Sequence, residues 1–215
     1  MDIYLSSAYL APLSYYAKFF LADKIYIEQC DNYIKQTYRN RCTIVGANGQ
    51  IPLSIPVEHI SGGKALTRDI RIADHGNWQH MHWNTIVSAY NSTPFFEYYQ
   101  DDFYPFYHRK FNFLFDFNEQ LRDLIFHLID IDQNKVTYTD NYKVDFTFSE
   151  IDMRESIHPK KDWHAEDHYF ISHPYYQVFA QKFGFIDNMS IIDLLFNMGN
   201  ESLIVLHNSQ KSASV

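Results

Sequence analysis

The sequence predicts one α/β domain with three layers, in which helices pack on a mainly parallel sheet. Three observations indicate this class. The first 30 residues hold two short apolar runs around a helical segment, which is the pattern of a βαβ unit. Residues 42–56 contain two β-rich runs around an Asn-Gly pair, which indicates a β-hairpin. Residues 78–130 repeat apolar and aromatic residues at helical spacing, which predicts aromatic-rich helices packed on the sheet.

Local sequence patterns predict the strands and the helix of the N-terminal half. Residues 2–5 are predicted to form a strand, and Pro12 begins a helix, since proline suits a first helical position. A second strand is expected at 25–27. The turn of the hairpin is placed at Asn48-Gly49, because both residues tolerate positive φ. Residues 69–72 are predicted to form a further strand.

Three helices follow in the middle of the chain. The first is predicted from Trp78 to about Asn91, the second from Pro94, and the third after a cap at Asn118. Residues 131–175 show only two weak strands, at 136–138 and 144–148, and a polar loop rich in histidine.

The C-terminal part shows one more helix. A capping box at Ser190 and Asp193 begins it, and Gly199 ends it. We expect the domain to occupy residues 1–207 and the polar residues 208–215 to form a frayed tail.

The composition fits a globular protein. The 215 residues are 46% hydrophobic and 20% charged, which excludes a disordered chain. The aromatic share of 18% is high, and the surplus rings are expected in the core, in pocket walls or at a homodimer interface. The sequence has no long apolar stretch and no basic leader, so we expect a cytoplasmic protein without a membrane span.

The charge of the chain argues against nucleic-acid binding. The formal net charge is −8, whereas nucleic-acid-binding surfaces are basic. The distribution is uneven, because residues 1–72 contain more Lys and Arg than Asp and Glu. This basic part predicts an anionic small-molecule ligand, such as a sugar nucleotide, nucleotide or amino acid. Surface charge scattered without function gives the same pattern.

Several segments, in this order, resemble the WbqC-like protein family. They are Tyr9–Pro12, residues 33–41, Leu53–Val57, Trp78–Tyr90 and Ser190–Gly199. The resemblance covers most of residues 3–130 and 174–200. Genes of this family occur in clusters for O-antigen and other surface polysaccharides, and transfer of glycine or another acyl group to a sugar has been suggested. The resemblance therefore implies a transferase that moves an amino-acyl or similar group to a sugar or sugar nucleotide.

The first βα turn is one predicted ligand site. Ligands of open parallel sheets bind beyond the carboxyl ends of the strands, near a helix N-terminus, and Ser6, Ser7 and Tyr9 follow the first strand. Lys18 lies away from the apolar face of the next helix and would hold an anionic group. The family commonly has a His-Gln-Pro-like stretch where this chain has Ser6-Ser7-Ala8. A plain turn is the other interpretation.

A basic loop is the second predicted ligand site. Its polar residues are Lys35, Arg39, Asn40 and Arg41. Guanidinium groups bind carboxylates and phosphates through two parallel hydrogen bonds, and lysine adds a point charge. The alternative is that the arginines pair with neighbouring acids such as Glu28 and Asp31.

The helix that begins at Trp78 carries the predicted proton carrier. His82 lies between Trp78 and Ile86 on the inner face, and histidine titrates near neutral pH. Tyr90 at the helix end would complete the site. A histidine on an apolar face is also often a core residue with satisfied hydrogen bonds.

Two other functions stay open. The His-rich residues 158–173 would allow a metal-dependent hydrolase, since imidazole and carboxylate groups bind zinc, or they form a polar surface loop, and we assign no metal ligand. A non-catalytic partner of a glycosyltransferase system would use the aromatic residues as an interface. The sequence leaves the cofactor open.

Overall fold

The computed structural model describes residues 1–59 and 62–211. The strands of this part are β1 (Asp2–Ser6), β2 (Lys24–Glu28), β3 (Arg41–Gly46), β4 (Gly49–Ser54), β5 (Val136–Tyr138) and β6 (Glu150–Asp152). The helices are α1 (Leu13–Leu21), α2 (Trp78–Tyr90), α3 (Phe96–His108), α4 (Leu114–Leu128), α5 (Trp163–Glu166), α6 (Ala180–Phe183), α7 (Ile191–Met198) and α8 (Ser202–Asn208). The predicted α/β class is confirmed.

A four-stranded parallel sheet forms the centre, in the order β5-β2-β1-β6. The unit β1-α1-β2 is the predicted βαβ unit. Ile3 and Leu5 of β1 and Ile25 and Ile27 of β2 are fully buried, as expected for central parallel strands. The predicted strand at 136–138 is confirmed as β5. The weak strand predicted at 144–148 is wrong, since the fourth strand of the sheet lies at Glu150–Asp152.

The predicted hairpin is formed by β3 and β4, with Gly46 opposite Gly49. Its two-residue turn is Ala47-Asn48, one residue earlier than predicted. Gly49 has the positive φ, at 105°, which a residue with a Cβ rarely adopts. Residues 69–72 do not form the predicted strand, because a short 3₁₀ helix covers Thr67–Asp69.

The helix start predicted at Asn118 is wrong, whereas the helix predicted between Ser190 and Gly199 is confirmed as α7 but lacks the predicted cap hydrogen bond. Helix α4 begins at Leu114, so Asn118 is inside it, where its buried amide donates to the Arg39 carbonyl at 2.8 Å. Ser190 precedes α7, but its hydroxyl donates to the Leu10 carbonyl instead of capping the helix. In both places a contact distant in sequence replaces the local hydrogen bond that the sequence pattern predicts.

One hydrophobic cluster extends from Ile3 to Leu206 and contains most of the buried aromatic rings. Helix α1 lies within it and is buried on nearly all sides, including Lys18. The predicted tail does not begin at residue 208, because residues 209–211 pair with residues 169–171; residues 212–215 lie outside the described residues. No helix among residues 1–59 and 62–211 is long and apolar enough to cross a membrane.

Candidate functional site

The carboxyl edge of the parallel sheet positions the candidate site. The chain passes from β1 to β2 and β5 in one direction and then returns to place β6 on the other side of β1. Strand order therefore reverses between β1 and β6. In open α/β sheets, ligands bind in the crevice at such a reversal, beyond the carboxyl ends of the strands.

Two open clefts lie near this edge. The acidic cleft has a volume of about 350 Å³ and is lined by Cys30, Asp31, Asn32, Ile34, Tyr142, Arg154 and Glu155. The aromatic cleft has a volume of about 330 Å³ and is lined by Trp163, His164, Phe170, Ile171, Ser172, Pro174, Phe185 and Asp187. Both volumes are in the range of small-molecule sites, roughly 300–1,000 Å³.

Two small cavities lie between the clefts. The inner cavity, of about 10 Å³, is lined by Leu5, Ser6, Ser7, Ala8, Tyr15, Thr37, Tyr38, Arg39, Met153, Arg154 and Ile157. The serine cavity, of about 20 Å³, is lined by Ser14, Tyr38, Ser156, Ile157, His158, Lys161, Trp163, Asp167 and Asn188. Each is large enough for about one water molecule.

Residues 153–163, which we call the bridging segment, contribute to the walls of all four spaces. Arg154 lines both the acidic cleft and the inner cavity. Ile157 lines the inner and serine cavities, and Trp163 lines the serine cavity and the aromatic cleft. The four spaces therefore adjoin in series, with shared side chains between one and the next.

A buried network of charges forms one wall of the acidic cleft. Arg154 donates to Glu28 at 2.7 Å and to both oxygens of Asp152. Glu28 is fully buried at the end of β2 and also accepts the Thr139 hydroxyl at 2.7 Å. Burial opposes the charge of Arg154, but these carboxylates outweigh burial and raise its pKa.

A second guanidinium adjoins this network. Arg39 is 2% exposed and donates through Nη2 to Asp31 and to Glu155. Burial lowers the pKa of Arg39, but the two carboxylates raise it overall. Arg39 and Arg154 together face four carboxylates, so the two networks have an excess of negative charge. They offer little unpaired positive charge to an anion.

Ser14 contributes a buried side-chain hydroxyl to the lining of the serine cavity. It is 1% exposed, and its Oγ has no hydrogen-bond partner among the described residues. The N–H groups at the start of α1 are occupied, because Leu13 donates to the Met189 carbonyl and Ser14 to Asn188 Oδ1. The free polar group at this helix end is therefore a hydroxyl and not the backbone.

The predicted βα-turn residues divide between the site and the core. Ser6 and Ser7 line the inner cavity, where Ser6 Oγ donates to the Arg154 carbonyl and Ser7 Oγ to Glu119, both at 2.8 Å. Tyr9 is fully buried, and its hydroxyl bonds to Tyr107 and to His82.

Lys18 is fully buried and does not face solvent. Its ammonium donates to Asp167 at 2.6 Å, and both side chains are almost without solvent exposure. Burial lowers the pKa of Lys18, and the Asp167 carboxylate opposes this shift. The prediction that Lys18 holds an anionic ligand is at odds with this pairing, since its charge is already compensated.

The predicted basic loop does not form a common site. Lys35 is exposed and lines none of the four spaces, and Arg41 donates through Nε to Ser54 at 3.1 Å. Asn40 donates to the Ile55 carbonyl at 2.8 Å. Arg39 pairs with Asp31, which is the alternative that the sequence left open.

The predicted proton carrier lies in the aromatic core. His82 is 6% exposed, its Nδ1 lies 3.0 Å from Tyr9 Oη, and Trp78 packs against the ring edge at 5.1 Å. Burial lowers its pKa to about 4, although a hydrogen bond with the Ser54 backbone opposes the shift. Tyr90 is also fully buried and donates to Asp193 at 3.0 Å. These three residues line none of the four spaces.

The His-rich segment forms walls of the site and no metal centre. His158 lines the serine cavity and His164 the aromatic cleft. Within residues 1–59 and 62–211, no three His, Cys, Asp or Glu side chains gather closely enough to hold a metal ion. The histidines therefore give the metal-dependent hydrolase no site in the described part of the chain.

A comparison with family models identifies the family of the chain. The model of the WbqC-like protein family matches residues 7–153, which is more than half of the chain. The chain belongs to the WbqC-like protein family. No curated protein and no solved structure matches it.

The family match leaves part of this WbqC-like protein's candidate site outside its range. It includes Ser7, Ser14 and Arg39, and it ends at Met153. The rest of the bridging segment lies beyond the matched residues, as does the predicted resemblance over 174–200. Sequence reasoning did not identify Arg154 or Lys161 as site residues, and it considered His158 only within the His-rich segment of the alternative metal-dependent hydrolase. The signal that could have found them was the strand at Glu150–Asp152, since residues that follow a parallel strand lie at its carboxyl edge.

Proposed function

We propose that this WbqC-like protein is a transferase of surface-polysaccharide biosynthesis that moves an amino-acyl or similar group to a sugar or sugar nucleotide. The observation that supports this proposal is the pair of open clefts, which adjoin one another through two small cavities at the carboxyl edge of the sheet. A reaction between two substrates needs two binding places that meet at one point, and holding both reactants there lowers the entropic barrier.

The acidic cleft suits the amino-acyl donor. Asp31, Glu155 and Arg154 line it, and the networks that include these residues hold two guanidiniums against four carboxylates, so the site favours an ammonium group over a second anion. The α-amino group of an aminoacyl donor carries this charge. The sequence predicts an anionic ligand. In the acidic cleft we instead expect the cationic ammonium end of the ligand to bind.

The reacting atoms of the two substrates would meet beside the small cavities between the clefts. A sugar hydroxyl or amine attacks the acyl carbon of a donor activated as a thioester or acyl phosphate, the bond from acyl carbon to leaving group breaks, and the proton of the nucleophile passes to the leaving group. Hydrogen-bond donors of the protein that lie near the developing oxyanion stabilise it. His158 and Lys161 line the serine cavity and are the donors we assign to this role.

His158 replaces His82 in this proposal because it is accessible. Its Nδ1 accepts the Lys160 backbone N–H at 3.0 Å, so a neutral ring carries its proton on Nε2 and can donate there. Partial burial lowers the pKa of His158, which favours the neutral ring at pH 7. His82 has no such free position.

A ligand screen followed by product analysis tests the proposal. Thermal melts are recorded with amino acids, coenzyme A thioesters, nucleotides and sugar nucleotides, and pairs of ligands are then incubated with the protein and examined by mass spectrometry. A ligand at about a hundred times its Kd adds roughly 2.7 kcal/mol to stability. We expect a donor and an acceptor class to raise the melting temperature, and a product with the mass of the acylated sugar.

Two matched variants test whether the amino-acyl donor binds in the acidic cleft. Asn32→Trp fills the acidic cleft from an exposed position, and Lys35→Trp adds the same ring at an exposed position that lines none of the four spaces. We expect the first variant to lose the donor-induced shift and the second to keep it. If no class of ligand shifts the wild-type melt and no product forms, the transferase is contradicted and the non-catalytic partner is favoured.

A further inference from the structure

The aromatic cleft has the composition of a site for a small ring. Five of its eight lining residues are apolar, and the other three are His164, Ser172 and Asp187. Ligand sites of this size commonly combine apolar walls with a few polar groups that fix orientation. The cleft is open to solvent on one side and adjoins the serine cavity at Trp163.

Rings meet at the end of the cleft where Trp163 lies. Trp163 stacks on His164 with ring centroids 3.7 Å apart, and Phe170 packs edge-on against Trp163 at 5.0 Å. The faces of aromatic rings carry partial negative charge. They attract the C–H groups on the flat face of a pyranose, whose carbons are polarised by the attached oxygens.

The polar groups of the cleft match hydroxyls. Asp187 is 40% exposed, and its one ion-pair contact among the described residues is with His164 Nε2, at 3.6 Å. Ser172 Oγ is buried and has no partner among the described residues. A carboxylate accepts from two neighbouring hydroxyls, and a serine hydroxyl both donates and accepts.

The charge of the cleft disfavours phosphate. No lysine or arginine is among its lining residues, whereas Asp187 lines it and Asp162 contacts His164 at 3.0 Å. A phosphate or diphosphate placed there would meet carboxylates without a compensating cation. A neutral or amine-bearing sugar ring meets no such repulsion.

We infer that the aromatic cleft binds the ring of a neutral or amino sugar, with its hydroxyls on Asp187 and Ser172 and any phosphate outside. This inference rests on the proposed transferase and assigns the acceptor to this cleft. The sugar then approaches the serine cavity beside Trp163, and the donor approaches from the acidic cleft on the other side of the bridging segment.

Tryptophan fluorescence tests the inference without turnover. Of the three tryptophans, Trp78 and Trp83 are each 8% exposed in the core, so quenching by a bound sugar reports Trp163. The probes are methyl glucoside, glucosamine and N-acetylglucosamine, with uridine and inorganic phosphate as separate arms. We expect saturable quenching by at least one sugar and none by phosphate.

Variants show whether the binding uses this cleft. Asp187→Asn is expected to weaken sugar binding about tenfold, which is about 1.4 kcal/mol, and Trp163→Leu is expected to abolish the quenching. Since Trp163→Leu removes the reporter, its binding is measured by ligand-observed NMR, and a melt establishes that it folds. Tyr98→Leu, at a residue that is 75% exposed on α3, is the control and is expected to bind like wild type.

The outcomes separate this inference from the proposed function. Uridine binding in place of sugar binding, or sugar binding that Asp187→Asn and Trp163→Leu leave unchanged, would overturn the assignment of the cleft. If sugars bind there but no acyl transfer occurs with any donor, the sugar site stands and the transferase fails. If transfer occurs while both variants retain wild-type sugar affinity, the transferase stands and this site is wrong.

Discussion

His82 in the aromatic core and His158 in the bridging segment are the same residue type in opposite environments. His82 is almost fully buried and hydrogen bonded at Tyr9 and at the Ser54 backbone. His158 is partly exposed, lines a cavity, and is bonded at Nδ1. A side chain whose polar atoms all bond within the protein has nothing left for a substrate. The comparison therefore favours the carboxyl edge of the sheet over the core.

The same contrast separates two lysines. Lys18 has its charge compensated by Asp167 in the interior, whereas Lys161 lies at the serine cavity and, within the described part of the chain, its ammonium contacts exposed Glu166 at 3.5 Å. Removal of one partner of a buried ion pair is strongly destabilising, because the other charge stays buried and uncompensated. Removal of one partner of an exposed pair changes stability little. Stability measurements can therefore distinguish the two regions.

The largest effect is expected from Lys18→Met. This change leaves the Asp167 carboxylate buried without its cation, which destabilises a protein by about 3–5 kcal/mol. Urea unfolding measures the loss. The control is the double variant Lys18→Met with Asp167→Leu, which removes both charges and should recover most of the stability. If Lys18→Met has near-normal stability and weakened ligand binding, the result would instead support the prediction that Lys18 binds the ligand.

Acid should destabilise the protein through His82. Its pKa is lowered from 6.5 to about 4 in the folded state, so the unfolded chain binds more protons between these values. The stabilising contribution is therefore complete above pH 6.5 and is lost as the pH falls towards 4. The total is about 3 kcal/mol, at 1.36 kcal/mol for each unit.

The variant His82→Gln isolates this contribution. Unfolding free energies of wild type and variant are measured from pH 7.5 to pH 4, and the difference between them removes the titration of other groups. We expect the variant to lose stability less steeply with acid. Parallel curves for the two proteins would show that His82 is not the buried neutral group described above.

The sequence predicts the parts of the fold that depend on local patterns. Strand β1, helix α1, strand β2 and the hairpin follow from short apolar runs, a helix-starting proline and a turn dipeptide. Where a distant contact competes, the local pattern is misleading. Ser190 bonds to the Leu10 carbonyl and Asn118 to the Arg39 carbonyl, and neither forms the predicted cap.

The candidate site depends on such distant contacts almost entirely. Arg154 meets Glu28 across 126 positions of the chain, and Lys18 meets Asp167 across 149. The sequence places Ser6 and Ser7 after the first strand, and both line the inner cavity; their role in ligand binding stays a prediction. It offered Asp31 as an alternative partner of Arg39, but it could not reveal that Glu155 also pairs with Arg39 or that Asp167 pairs with Lys18, since these two acids follow β6 and α5.

A smaller effect is expected from Tyr90→Phe, which tests a predicted ligand residue as part of the core. The Tyr90 hydroxyl accepts the Val45 N–H at 3.2 Å and donates to buried Asp193. Its removal leaves a buried donor unpaired, which costs about 1–3 kcal/mol. Thermal or urea unfolding measures the loss, with Tyr98→Phe on α3 as an exposed control. A variant as stable as wild type that no longer binds a ligand would place Tyr90 in a site.

The smallest effect on stability, and a large one on the rate of transfer, is expected from His158→Ala and Lys161→Ala. His158 is partly exposed and Lys161 is exposed, so each change should alter the free energy of unfolding by about 0.5 kcal/mol or less. Transfer to the sugar should fall steeply, by about a hundredfold for one lost donor to the oxyanion. His82→Gln gives the reverse pattern if the comparison holds, with lower stability and unchanged transfer per folded molecule. Equal transfer by wild type and both bridging-segment variants would contradict a role for this edge of the sheet in the chemistry.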